Sequence, residues 1–469
     1  MGVNGLTGIL RRFAPNSIRQ VSPSLFAKQT IAVDASCHLN KFVYGDEPHP
    51  YKHIYGFYLL SRFFDMNNIN PIFVFDGSKR LEAKRLEHEK RERQRSKVKH
   101  TLLFEQEQAA RLDAWLEITE DMVRRIPNDQ ASFILTELGD SLSEMDHAVS
   151  DHDVSPEVEQ AIIANKLSHV AQDLREAVIQ VQDTEKYTRT ARELAGREKN
   201  LVTEMLINRL RDVKSSLESL SDDNQINRQS LEKRSVRITQ ALRKECQEFL
   251  ECLGYICFSC DNHEAEAMCA HLGKAKRTTA TISEDLDTLA FGDTPLLRYF
   301  FSRTQSVLYI DPVIAREELN LSRDSFLDFC ILCGTDFSGT IQGIGPIRAL
   351  QYIQKYKSIE NVLGKLDEIN PKYTPQKSFD YKLARRVFNS LPPIPENDLV
   401  YEKSRTNQSE IEDLLRYYEI DTVEADVKVK TAVVRQNITQ PNEWGTDPFS
   451  VNTFDSTPLT IDNNSFGIN

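Results

Sequence analysis

Seven carboxylates stand at the ends of apolar segments in this sequence. Asp34 closes TIAVDAS and Asp76 closes PIFVFDG; Glu264 and Glu266 open HEAEAMCAHLGKAK; Asp285 and Asp287 follow TTATIS; Asp336 follows SFLDFCILC. Any one of them is explained by a helix cap or a solvated surface. Together they pose an electrostatic problem. Carboxylates gathered at the ends of buried strands repel one another and lose hydration, so something cationic should gather them. Hard oxygen ligands in such numbers suit Mg²⁺ or Mn²⁺ rather than Zn²⁺. Two divalent ions about 4 Å apart can activate water and stabilise the leaving oxygen in phosphodiester cleavage. The stretch that follows Asp76, SKRLEAKRLEHEKRERQRSKVKH at 78–100, has ten Lys or Arg and four Glu, with no Pro or Gly. It reads as a helix carrying cations to a phosphate, with Lys79 and Arg80 at its start. The combination implies a nuclease.

Several elements must position these acids. TIAVDAS and PIFVFDG are short, continuously apolar runs of the kind buried on both faces of a parallel sheet. HIYGFYLLSRFFDM between them has helical spacing. Strand, helix, strand puts Asp34 and Asp76 on one carboxyl edge, where sites form in open α/β sheets. After about residue 235 the globular pattern returns: ALRKECQEFLECLG as a helix, YICFSC as a strand, HEAEAMCAHLGKAK as a helix, TTATIS as a strand, and β-structure over 297–311. Residues i and i+2 of a helix point about 200° apart. Glu264 and Glu266 therefore converge only if Glu264 precedes the first full turn, whereas Asp285 and Asp287 converge in a loop.

The middle of the chain differs. Residues 101–160 hold fifteen acids against three bases, which accounts for the net charge of −12. The chain as a whole is thus not a bulk-electrostatic nucleic-acid binder, while a local basic footprint remains. Ile163, Leu167, Val170, Leu174, Val178 and Val181, then Leu206, Leu210, Val213, Leu217 and Leu220, follow a heptad-like spacing. They predict two long helices, as an antiparallel pair or coiled coil, with 219–230 as a loop. Beyond about residue 391, Pro, Asn, Ser and Thr accumulate and predict a partly disordered tail. At 469 residues and 40% hydrophobic content, a collagen-like or wholly disordered chain is excluded. No apolar run reaches membrane-span length, and the first residues lack a secretory leader pattern. Cys257/Cys260 and Cys330/Cys333 have CxxC spacing, yet their apolar settings read as buried reduced thiols rather than zinc ligands.

MGVNGLTGIL, VDAS, FVFDG, EAEAMCAHL, ISEDLDTLAFG, CGTDF and IQGIGPIRAL, in this order, resemble the flap endonuclease / XPG family of 5′ structure-specific nucleases over roughly 1–95 and 240–365. The resemblance implies an α/β, PIN-like fold: a twisted, mostly parallel sheet with helices on both faces, a helix-two-turn-helix and a long helical insertion. It divides the chain into an N-terminal nuclease region (1–100), a spacer (101–240), an internal nuclease region (241–335), a helix-two-turn-helix (336–390) and a tail (391–469). It implies Mg²⁺, replaceable by Mn²⁺, on Glu266, Asp285, Asp287 and Asp336, with Asp34, Asp76 and Glu264 supporting through water. Lys84 and Arg91 match the family's phosphate-contacting pair in spacing. Gly2, Asn40, Gly343, Gly345 and Arg348 become DNA contacts with Lys79 and Arg80, and the carbonyls of Thr340, Ile341 and Ile344 become candidate K⁺ ligands. Asn40 stands where flap endonucleases have an aromatic residue and XPG-type members have Asn. The span from Asp76 to Glu264 exceeds that of a flap endonuclease arch.

The leading expectation is a Mg²⁺-dependent endonuclease, with a 5′ exonuclease activity as a candidate companion, cutting flap, bubble or junction DNA in the nucleus. The basic, acid-free first twenty residues keep a mitochondrial form open. The alternative is a non-catalytic scaffold that uses the 101–240 helices to hold a protein partner; an RNA-directed nuclease is a third reading. No sliding-clamp motif is found.

Overall fold

The computed structural model describes residues 2–79, 81–118, 128–138, 157–207, 213–302, 304–395 and 407–437. Seven strands form one sheet: β1 (Ile18–Val21), β2 (Thr30–Asp34), β3 (Asn70–Asp76), β4 (Ile256–Cys260), β5 (Thr281–Ile282), β6 (Leu296–Arg298) and β7 (Val307–Ile310). Their spatial order is β1-β7-β6-β5-β2-β3-β4. The run from β6 to β4 is parallel, and β7 is antiparallel to both its neighbours. The sheet is therefore mostly parallel, with helices on both faces. Strand alternation is visible in the core: Ile31, Val33, Phe73 and Phe75 pack on one side, Ala32, Ile72 and Val74 on the other. The first side is covered by helices Ala35–Tyr44, Lys52–Met66 and Gln240–Cys252; helix Ala265–Lys274 covers the second. Parallel pairing sets Asp34 opposite Val74 and Asp76 opposite Cys260, so both aspartates leave the sheet at its carboxyl edge.

Four sequence expectations need correction. The basic helix begins at Arg85, after a 3₁₀ turn at Glu82–Lys84, and runs on to Leu116. A boundary at residue 100 would cut it, and the helix continues because Phe104, Leu112 and Trp115 become buried. Residues 219–230 are helical, inside Val213–Ser235. The buried stripe there is narrow (Leu217, Leu220, Asn224, Leu231), and its polar flanks imitate a loop. The insertion is thus more than a helix pair. Helices Asn128–Glu137, Glu157–Gln180, Arg189–Ile207 and Val213–Ser235 join the distal part of Arg85–Leu116 around Leu112, Trp115, Leu174, Val202 and Leu217. Leu210, one position of the heptad pattern, lies outside the described residues, as do 119–127 and 139–156 of the acidic block.

The C-terminal region also holds more structure than a tail. Helices Gln408–Tyr417 and Thr422–Asn437 pack on the core through Tyr418, Ile420, Ala425 and Val429, and Arg62 pairs with Asp426 at 3.1 Å. All eight cysteines are free; Cys260, Cys330 and Cys333 are buried among apolar side chains. Among the described residues no helix is long and apolar enough to cross a membrane.

Candidate active site

Asp34 ends β2 and caps the following helix, accepting from Cys37 N–H at 2.9 Å and from the Ser283 hydroxyl at 2.7 Å. Asp76 ends β3; its N–H donates to Ser36 Oγ at 2.9 Å, and its carboxylate accepts from Ala265 N–H at 3.1 Å. That last bond ties Asp76 to the first turn of helix Ala265–Lys274. Glu264 is the N-cap of that helix in extended conformation (φ −85°, ψ 154°), ahead of the first turn as convergence with Glu266 requires. Carboxylate oxygens of Asp76, Glu264 and Glu266 all lie within 4.8 Å of one another. Across the sheet edge, Ser283 Oγ accepts from Asp285 N–H and Asp285 Oδ1 accepts from Asp287 N–H, each at 3.0 Å. Gly2 seals this side at φ +89°. A Cβ there would stand 2.0 Å from Asp285 Oδ1, so no larger residue fits.

The electrostatics follow from the crowding. Burial, then the facing Asp76, pushes the Asp34 carboxyl up to about 7. Burial followed by Asp34 and Asp285 raises Glu266 well above the carboxylate range, and burial followed by Asp285 and Asp336 does the same to Asp287. Glu264 is raised by burial against the opposing pull of Lys84. Asp287 Oδ1 is buried with no hydrogen-bond partner. A buried carboxylate oxygen without a donor, among carboxyls that resist ionisation, is the environment a hard divalent cation would relieve.

The two cations assigned from sequence lie over this cluster. Lys84 Nζ is 2.6 Å from Glu264 Oε2 and 3.8 Å from Asp336 Oδ2, and 5.1 Å from the centre of the Phe337 ring. Desolvation lowers its pKa, but Glu264 and Glu266 outweigh it and leave the ammonium net raised. Arg91 Nη2 meets Asp336 Oδ2 at 2.9 Å while its Nε meets Glu87 Oε1 at 2.9 Å. An open cleft of about 630 Å³ runs from Asp76, Glu264 and Lys84 past Asn40 and Arg91 to Arg234 and Arg243. Asn40 is exposed and donates to Ser36 O at 2.8 Å. Lys79 is exposed, with its N–H 3.4 Å from Asp261 Oδ1. Arg80 lies outside the described residues.

The remaining sequence-assigned residues sit in and after the turn between helices Arg323–Cys333 and Pro346–Tyr356. Gly343 has φ +87° and a Cβ there would strike Tyr373 at 2.7 Å; Gly345 is the N-cap. Arg348 donates to Gly343 O at 2.7 Å. Thr340 O accepts from Gln376 N–H and Ile341 O from Ile344 N–H, at 3.0 and 3.1 Å. Each of those carbonyls retains a second lone pair. Ile344 is buried.

Sequence reasoning missed Ser36, Ser283, Glu87, Arg234 and Arg243. The two serines lie inside quoted motifs, DAS and ISEDLD, and a hydroxyl beside a strand-end aspartate is a usable signal. The arginines carry no local signal. They return to the cleft only after the whole insertion has been traversed.

Comparison with known proteins finds two domain matches. The XPG N-terminal domain matches residues 1–98 and the XPG I-region matches 260–336. Flap endonuclease 1 of Tetrahymena thermophila is 39% identical over 165 residues, covering 34% of this chain and 42% of that protein. Flap endonuclease 1 of Caenorhabditis elegans is 39% identical over 163 residues, with the same coverage. The chain thus spans about half the length, or less, of the curated relatives it matches. Among solved structures, the catalytic core of Rad2 in complex with DNA substrate covers 92% of this chain and 100% of its own, at 16% identity and a TM-score of 0.50. That likeness shows the fold alone, a mostly parallel sheet with helices on both faces. Over residues 1–98 and 260–336 the chain is thus similar to the flap endonuclease/XPG family.

Proposed function

We propose that this protein is a metal-dependent 5′ structure-specific endonuclease that hydrolyses phosphodiester bonds near single-strand/duplex junctions in branched DNA. The observation that carries the reading is the gathering of seven carboxylates at one sheet edge beneath Lys84 and Arg91. The two XPG domain matches support it, and so does what the relatives' names say of those proteins. Asp76, Glu264 and Glu266 would hold one divalent ion, Mg²⁺ or Mn²⁺. Asp285, Asp287 and Asp336 would serve a second, with Glu266 facing both groups and Asp34 supporting from behind. Two such ions supply activation of a water and stabilisation of the leaving oxygen.

The chain's own residues do the rest. Lys84 and Arg91 neutralise Glu264 and Asp336 in the absence of substrate. Released from them, they reach a scissile phosphate and oppose the charge that builds on it. Gly2 lets backbone lie against Asp285 and leaves room for DNA. Asn40, Lys79 and Arg80 line the approach. Gly343, Gly345 and Arg348 grip duplex phosphate through backbone N–H groups and a cation, with K⁺ on the carbonyls of Thr340, Ile341 and Ile344 as a candidate addition. A branched-DNA substrate supports a nuclear location.

End-labelled flap, bubble and plain duplex DNA, incubated with Mg²⁺ or with EDTA, test the reading. Cleavage near the junction only with metal is expected, and the flap-to-bubble ratio reports the substrate preference. Intact binding with no cleavage of any substrate would reject the enzyme and restore the scaffold alternative.

A further inference from the structure

The last turn of helix Thr422–Asn437 carries a side chain that the site described above does not use. Gln436 is 1% exposed, and both ends of its amide engage one loop. Its Oε1 accepts from Phe301 N–H at 3.2 Å; its Nε2 is 2.9, 3.3 and 3.2 Å from the carbonyl oxygens of Tyr299, Ser302 and Gln305. This loop joins β6 to β7. Tyr299 and Phe301 both stand at φ +58°, a left-handed conformation that bulky residues adopt only when their surroundings impose it. The Gln436 amide supplies that constraint on one side. Lys41 adds a contact to Phe301 O at 3.3 Å.

The other side of the loop leads to the acid cluster. Tyr299 N–H donates to Glu284 Oε1 at 2.8 Å, and Arg298 Nε lies 3.5 Å from Glu284 Oε2. Glu284 immediately precedes Asp285. Its side chain therefore anchors the turn on which Asp285 and Asp287 are mounted, and the anchor is a peptide N–H whose orientation depends on the strained loop.

We infer that Gln436 is a positioning residue: the C-terminal helix fixes the β6–β7 loop and, through Tyr299 and Glu284, the segment bearing Asp285 and Asp287. The inference rests on the nuclease reading of the acid cluster. A ligand set tolerates displacement of only about 0.5 Å. Loss of the amide frees a loop whose backbone has no intrinsic preference for its present shape.

Gln436→Met keeps the length and removes every one of these hydrogen bonds. Its kcat on flap DNA is expected to fall by about tenfold to a hundredfold with KM unchanged. Mn²⁺ affinity, measured by calorimetry without DNA, is expected to weaken by about tenfold. Val429→Ala, buried on the same helix but away from the loop, is expected to lower Tm and leave both readouts intact. Wild-type kcat and Mn²⁺ affinity in Gln436→Met would overturn the inference. Equal losses in Val429→Ala would do the same, since they would mark a general stability effect. If the wild-type protein cuts no DNA, the nuclease reading fails, and the Mn²⁺ titration alone decides: weakening in Gln436→Met supports positioning and unchanged affinity rejects it. Should Gln436→Met not fold, Glu284→Ala severs the relay at its other end and carries the same measurements.

Discussion

Glu198, in the helical insertion, and Asp287, at the sheet edge, are both almost fully buried, at 0% and 3% exposure. Their surroundings are opposite. Glu198 receives Arg111 through Nε and Nη2 at 3.0 and 3.1 Å, Gln108 Nε2 at 3.0 Å and Trp115 Nε1 at 3.3 Å. Its charge is answered inside the bundle. Asp287 has one carboxylate oxygen without a donor and faces Asp285 and Asp336. A buried acid that the fold satisfies holds helices in register, whereas one left unsatisfied among facing carboxylates at a sheet edge suits a cation not supplied by the chain.

The comparison can be broken at four points. The largest effect is expected from Asp285→Ala combined with Asp287→Ala, which should reduce cleavage by about 10³-fold or more while sparing DNA binding. Gel-based cleavage and binding assays on one substrate check it, and wild-type cleavage by the double variant would mean the site lies elsewhere. In the bundle, Glu198→Ala leaves Arg111 buried without its partner and should cost about 3–5 kcal/mol of local stability. Limited proteolysis of the insertion reads this out. Arg111→Met with Glu198→Leu should recover most of the loss, because two apolar groups need no partner.

The third test is pH. Burial pushes Glu105 up to about 7, against a hydrogen bond from Asn224. Between its ordinary value near 4.5 and 7, the unfolded chain binds fewer protons at this site than the folded one. Stability of the insertion should therefore be full below about 4.5 and fall by about 3 kcal/mol as pH rises to 7. Hydrogen exchange of the bundle amides measures the slope, and Glu105→Gln should flatten it; a flat wild-type profile would show that the carboxyl ionises freely. The smallest effect is expected from Ser283→Ala, which removes one donor from Asp34 and should lower kcat about tenfold without changing KM. An unchanged kcat would mean that Cys37 N–H alone orients Asp34.

Much of the site could be read from the residues. TIAVDAS and PIFVFDG announce two strands because runs buried on both faces have no polar positions, and an aspartate at the end of each then has one place to be. ISEDLD puts two acids in a turn, where i and i+2 can converge. The bundle was harder to read. Helix Val213–Ser235 has a stripe one residue wide, with Asn224 at its centre, and its partner is Glu105, more than a hundred residues earlier. No local pattern marks an asparagine as buried when the group it satisfies is that distant. The C-terminal helices were hidden for the same reason, since their apolar faces are short and the covering surfaces belong to helices Lys52–Met66 and Gln240–Cys252.

By itself the sequence offered the candidate chemistry, a set of acids and cations, and the order of strands and helices that carry them, because strand ends and turn residues are encoded locally. Tertiary structure decided which buried charges are satisfied. It set Glu198 against Arg111, left Asp287 Oδ1 without a donor, and closed Gln436 on a strained loop behind the acid cluster. Those outcomes depend on groups far apart along the chain, whose distances exist only once the sheet and the bundle have packed.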